Sequence, residues 1–198
     1  MINPNDKYIF LDIDGTINSD RDFFEAKYYD DTDSQKNAGE IINRGCLAYL
    51  EHIIDDTDAK IIMSTNWRRY FSLDEIYEVM VRNGFSKSRD IIMDEYPSYQ
   101  YESRRGAEIH EFVEEHKLTN FVILDDIDEG LSSFFIQYED ENDWEDQPDA
   151  NWIRTDFRVG LDGLDAGRAI KILGKTEAAK ARAEQYQKDL ELLASCAI

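Results

Sequence analysis

Three short apolar runs in this chain each stop at a residue equipped for chemistry. Tyr8-Ile9-Phe10-Leu11 gives way to Asp12, Lys60-Ile61-Ile62-Met63 to Ser64, and Phe121-Val122-Ile123-Leu124 to Asp125. Runs of this length without polar alternation predict strands buried on both faces, as in parallel sheets. Helical spacing fills the intervals. Ile42, Leu47, Leu50, Ile53 and Ile54 predict a helix over 39–54 that Asp55-Asp56 ends. Ile76, Val79 and Met80 predict a second over 73–82, closed by Asn83-Gly84, and Ile109, Phe112 and Val113 a third over 106–116. Ile91-Ile92-Met93 reads as a short strand, Trp152–Thr155 as the last strand, and 164–173 and 176–195 as helices. Strands alternating with helices predict βαβ units and a mainly parallel sheet. In such sheets the working residues lie just beyond the carboxyl ends of the strands. The three runs end in that place.

Composition narrows the class. The 198 residues carry 43 acidic and 22 basic side chains, a formal net charge of −21. With 42% hydrophobic and 12% aromatic residues the chain can bury a core, unlike a disordered acidic tail. No apolar run approaches the ~20 residues that span a bilayer. The opening MINPNDKYIFLDID has no basic region followed by a long apolar stretch, so no signal peptide is expected. Two cysteines, Cys46 and Cys196, make no disulfide framework and no CxxC metal motif. These features predict a cytoplasmic protein with no membrane association. The acidity argues against broad wrapping of nucleic acid, although Arg68, Arg69, Arg104 and Arg105 offer a local basic exception.

Asp12-Ile13-Asp14-Gly15-Thr16 places two carboxylates, one residue apart, at a strand end. Asp-x-Asp-Gly is also an ordinary turn. The apolar strand before it, and Asp125-Asp126 after a second such strand, favour a site. Three converging carboxylates suit a hard cation such as Mg²⁺, which leaves room for a substrate phosphate. One Asp can then attack phosphorus, while the other protonates the leaving oxygen and activates water. An EF-hand is excluded, because Thr-Ile-Asn-Ser after Gly15 does not supply its later ligands. Ser64 and Thr65 are both candidates to hold a phosphate oxygen, with Ser64 preferred as the first residue after the run. Arg104 and Arg105 are candidates to offset the charge of carboxylates and phosphate. His52, His110 and His116 lack metal-like spacing and read as structural or exposed.

These residues resemble the haloacid dehalogenase (HAD) superfamily of phosphohydrolases. YIFLDIDGT resembles the first motif of that superfamily, KIIMST the second and FVILDDID the fourth. For the third, a single Lys or Arg, Arg105 is the first candidate, then Arg104, then Lys117. The match in order and spacing covers roughly residues 7–173. SerThrAsnTrpArgArg after the second run, ArgGlyAlaGluIle before the fourth motif, and the late Thr155, Asp156, Gly160 and Leu161 are similar to HAD domains of RNA-repair and polynucleotide end-processing proteins. The resemblance implies a three-layer, Rossmann-like α/β fold with a parallel sheet and helices on both faces, and the segments from Gly15 to Ser64 and from Thr65 to Arg104 are too short for a large cap domain. It implies that Asp12 is the nucleophile, Asp14 the general acid/base, and that Mg²⁺ is held by Asp12, the Asp14 backbone carbonyl and Asp126, with Asp125 close by. The second Asp of the first motif favours a phosphatase over a dehalogenase.

The expected organisation is a HAD-like domain over 1–173, with an irregular flap at 17–38, and a C-terminal helix over 174–198. The expected function is a Mg²⁺-dependent phosphomonoesterase acting through an aspartyl-phosphate on a phosphorylated small molecule, a nucleotide or a nucleic acid end. The rival is an interaction protein on the same fold with little catalysis. The acidic run 139–149 and the amphipathic C-terminal helix, a face for a homo-oligomer or another partner, motivate that rival.

Overall fold

The computed structural model describes residues 1–22, 41–98, 105–138 and 149–177, together with 180, 181 and 185. Its centre is a four-stranded, all-parallel sheet in the order β2-β1-β3-β4. The strands are β1 (Tyr8–Leu11), β2 (Lys60–Met63), β3 (Phe121–Asp125) and β4 (Trp152–Arg154). Leu11 lies opposite Met63 on one side and Leu124 on the other, so β1, β2 and β3 end level.

Alternation along each strand sends side chains to opposite faces. Tyr8, Phe10, Ile62, Ile123 and Trp152 share one face with Ile109, Phe112 and Val113 of helix α3 (Arg105–His116). Ile9, Leu11, Ile61, Met63, Val122, Leu124 and Ile153 share the other with α1 (Arg44–Thr57), α2 (Leu73–Arg82) and α4 (Gly163–Leu173). The result is the expected three-layer α/β architecture. Among the described residues no helix is long and apolar enough to cross a membrane.

The first helix begins later and ends later than its apolar spacing predicts. Asn43 caps α1, its Oδ1 accepting from Gly45 N at 2.8 Å and Cys46 N at 3.2 Å. Ile42 is buried ahead of the cap. Asp55-Asp56 do not stop the helix, because Lys175 Nζ stands 3.4 Å from the Asp56 carboxylate and offsets an acid at a helix C-terminus. The stop comes at Asp58, in the left-handed region at φ 58°. Residues 91–93 form no strand. A 3₁₀ turn covers Arg89–Ile91, and Ile92 makes only a single bridge to Ile61. Arg89 holds that turn through Asp74, Asp94 and the Ile92 carbonyl. Arg104, most of the 17–38 flap, the 139–149 run apart from Asp149, and most of the C-terminal helix lie outside the described residues.

One close contact sets where α3 begins. Gly106 N donates to the Glu129 carbonyl at 3.2 Å, and a Cβ on Gly106 would collide with the Gly130 carbonyl oxygen. Only glycine lets the helix start against the 129–131 turn, and Arg105 is thereby held at the sheet's carboxyl edge. Gly106→Ala should cost about 1–3 kcal/mol of overpacking. For a chain of this size that lowers Tm by roughly 2–12 °C, a drop that a thermal melt followed by circular dichroism will register.

Candidate active site

Continuing the register one residue past the strands sets Asp12 beside Ser64 and Asp125, on the face that Phe10, Ile62 and Ile123 share. Backbone bonds carry the pairing on: Asp12 N donates to Leu124 O at 3.1 Å and Ser64 N to Leu11 O at 2.9 Å. Helix α3 covers this face, and its first residue, Arg105, reaches the carboxylates. Arg105 Nη1 lies 2.8 Å from Asp12 Oδ2 and 2.6 Å from Asp125 Oδ2, and its Nε lies 3.5 Å from Glu129 Oε2. Asp12, Asp125 and Arg105 are 3%, 0% and 4% exposed, so these charges meet almost without water.

The loop after β1 folds back to bring in the remaining acids. Gly15 adopts φ +75°, and a Cβ there would run into the Asp126 carboxyl group. Only a glycine lets that loop approach Asp126 so closely. Asn18 Oδ1 accepts from Gly15 N at 2.9 Å, and Thr155 Oγ1 donates to Gly15 O at 2.9 Å. Leu161 N donates to Thr16 O at 2.7 Å. The late Thr155…Leu161 segment thus supports the Asp-x-Asp-Gly loop from β4. Asp14 is exposed, yet both its oxygens are held: Oδ1 accepts from Asn18 Nδ2 and Oδ2 from Trp67 Nε1, each at 2.9 Å.

Asp12, Asp125 and Asp126 each bring one carboxylate oxygen within 4.8 Å of the others. Burial pushes the Asp12 carboxyl up, against the pull of Arg105. It pushes Asp125 well up, helped by the charge of Asp12. Asp126 is pushed to about 6, by burial first and then by Asp12. Burial alone would lower the Arg105 guanidinium, but Asp12 and Asp125 more than reverse that, so it stays charged. One fixed cation, Arg105, thus stands among the carboxyl groups of Asp12, Asp14, Asp125, Asp126 and Glu129. The donor set is oxygen only, which suits Mg²⁺. A cavity of about 240 Å³ opens here, lined by Asp12, Asp14, Gly15, Asp20, Asn66, Arg105, Asp126, Ile127 and Phe157.

The two hydroxyls separate in their contacts. Thr65 Oγ1 accepts from Trp67 N at 3.3 Å and caps a 3₁₀ turn over Asn66–Arg69. Ser64 Oγ, on the face of Asp12, is buried with no hydrogen-bond partner. Arg68 is neither solvated nor turned to the site. It is buried, with Nε on Thr65 O at 2.8 Å, Nη1 on Pro97 O at 2.6 Å and Nη2 3.4 Å from Glu108. Of the expected basic cluster, Arg68 is thus turned away from the site and Arg105 is in it, while Arg104 lies outside the described residues. Arg69 is exposed, and Lys117 sits past the far end of α3. Asn18 and Trp67 meet Asp14 in the site, and Asn66, Ile127 and Phe157 line the cavity's wall and rim, although none of the five was a candidate from sequence. Trp67 and Asn66 had a signal, lying directly after the second apolar run, whereas Asn18 and Phe157 arrive through loop folding.

The family model described as "HAD domain in Swiss Army Knife RNA repair proteins" matches residues 8–166. No curated protein and no solved structure matches the chain.

A carboxyl raised to about 6 in the fold and near 3.9 in the unfolded chain favours the protonated native state. Its contribution to stability is full below about pH 3.9 and is lost as pH rises through about 6. Without divalent cations, wild-type Tm should therefore fall across that window more steeply than that of Asp126→Asn, as differential scanning fluorimetry in a pH series with chelator will measure. Mg²⁺ at neutral pH should raise the wild-type Tm and leave that of Asp126→Asn nearly unmoved.

Proposed function

The chain belongs to the family of HAD domains in Swiss Army Knife RNA repair proteins, and from that premise we propose that it is a Mg²⁺-dependent phosphomonoesterase working through an aspartyl-phosphate, with the terminal phosphate of a nucleotide or polynucleotide as substrate. The observation that carries the reading is the convergence of Asp12, Asp125 and Asp126 within 4.8 Å, in a cavity that Asp14 also lines.

Asp12, Asp126 and the Asp14 carbonyl would hold the ion, with Asp125 behind them. When bound, Mg²⁺ neutralises charge on the phosphoryl group and the surrounding carboxylates. Arg105 fixes the Asp12 carboxylate in one orientation for attack. Asp12 forms a bond to phosphorus as the bond from phosphorus to the leaving oxygen breaks. Asp14 gives its proton to that oxygen. Asp14 then takes a proton from water, whose oxygen attacks phosphorus, and Asp12 and inorganic phosphate separate. The buried, unpaired Ser64 Oγ supports Ser64 as the donor to a phosphate oxygen, since a buried hydroxyl without a partner is unfavourable until one arrives. Trp67 and Asn18 act through Asp14 by keeping it aimed at the cavity.

Asp12→Asn keeps the size of the side chain and removes the nucleophile. Turnover of an aryl phosphate with Mg²⁺ should fall by about a thousandfold or more, with an unchanged circular dichroism spectrum. Retained activity would sink the covalent mechanism, and activity that survives chelation would sink the role of the ion. Trp67→Phe keeps an aromatic ring against Phe71, whose centroid lies 5.5 Å away. With one hydrogen bond to Asp14 lost, kcat should drop about tenfold. KM should stay put, and a rise in KM with kcat unchanged would remove Trp67 from the mechanism.

A further inference from the structure

Resting on the phosphatase reading, we infer that the substrate is a nucleic acid end whose terminal base stacks on Phe157, and whose next nucleotide lies in the cleft on the far side of that residue. Phe157 is 49% exposed, on the rim of the cavity that holds Asp12 and Asp14. Single exposed apolar residues are ordinary. Here they follow a track. Ile127, 38% exposed, lines the same cavity. Tyr49 and Val159, at 41% and 56%, line the neighbouring cleft of about 460 Å³ together with Arg21, Arg158 and Asp162. Asp20 and Phe157 belong to the first cavity, and Ser19, Arg21, Arg158 and Val159 to the second. The boundary between them is thus the 19–22 and 157–159 segments, tied where Asp20 N donates to Phe157 O at 3.0 Å.

The backbone around Phe157 is tied into a turn. The Asp156 carbonyl accepts from Val159 N at 2.8 Å and Gly160 N at 2.7 Å, and the Asp156 carboxylate accepts from Arg158 N at 3.0 Å. The first cavity, at about 240 Å³, is smaller than the 300–1,000 Å³ of typical small-molecule sites. It suits the phosphoryl group and its ion, and leaves the rest of the substrate at the rim.

Charge decides how that remainder is gripped. Among the described residues lining the first cavity, the one cation is Arg105, already engaged by Asp12 and Asp125, and the others with charge are acids. A phosphodiester backbone gains little from such a wall. Base stacking needs no charge and tolerates any base. Arg21 and Arg158 line the second cleft, one step farther along, where Arg158 is paired with Asp156 and Asp22 and Asp162 stand beside them.

The test measures kcat and KM of the full chain with Mg²⁺ on 3′- and 5′-phosphorylated short oligonucleotides, on glycerol phosphate and on a phosphotyrosine peptide. Phe157→Ala should raise KM for the preferred oligonucleotide about tenfold and leave kcat and the constants for glycerol phosphate nearly unchanged. Phe157→Trp should restore the oligonucleotide KM. An equal loss on glycerol phosphate, or no loss on the oligonucleotide, overturns the inference alone. So does preference for the phosphopeptide. Wild-type protein that turns over none of these overturns the phosphatase reading, and the inference with it.

Discussion

The structure is organised around one guanidinium placed between two buried carboxylates. Arg105 reaches Asp12 on β1 and Asp125 on β3, and none of the three is more than 4% exposed. Stripping water from such charges is expensive, and removing one partner leaves the others uncompensated. The arrangement persists because the surrounding fold imposes it. Parallel pairing sets the two acids side by side, and Gly106 brings the start of α3 against the 129–131 turn. A lysine at 105 would bring the charge without the fork that lets one side chain meet Asp12, Asp125 and Glu129 together. A buried cation on the candidate nucleophile also orients it. The pair engages Oδ2 of Asp12, so the carboxylate keeps a second oxygen for other partners.

Much of this was legible in the sequence, for a physical reason. Runs such as Phe121–Leu124, short and stopped by polar residues, read as buried strands, and parallel strands of matched length end at one edge. Asp12, Ser64 and Asp125 are therefore neighbours by register, although more than fifty residues separate each from the next. Asp126 followed from the same frame, whereas Arg105 stood beside Arg104 as an open alternative and came first only by the family resemblance. Helix ends were less legible, since apolar period does not mark a boundary. Asn43 and Asp58 set the limits of α1 through a side-chain cap and a left-handed turn, and the apolar spacing reports neither. The 91–93 run has strand composition but too few residues to compete with the turn that Arg89 ties down.

What the sequence hid was the destination of side chains on irregular backbone. Arg68 and Arg105 look alike as letters in basic doublets. One is drawn under the β2 loop by three backbone carbonyls and Glu108, the other to the site by the start of a helix. Thr65 follows Ser64, but a strand alternates, so Thr65 faces away from Asp12 and spends its oxygen on a cap. Asn18 and Trp67 meet at Asp14 from two different loops. No period or motif spacing encodes that meeting.

The net charge of −21 takes on a specific meaning at the site. The overall charge repels a polyanion at long range, and Arg68 is drawn away from the site. At the site itself stand the carboxylates of Asp12, Asp125 and Asp126, the Arg105 guanidinium and the buried Ser64 Oγ. Ile127 and Phe157 form the apolar part of the cavity's rim. A net charge of −21 repels an approaching polyanion, and of the two arginines lining the neighbouring cleft, Arg158 is already paired with Asp156.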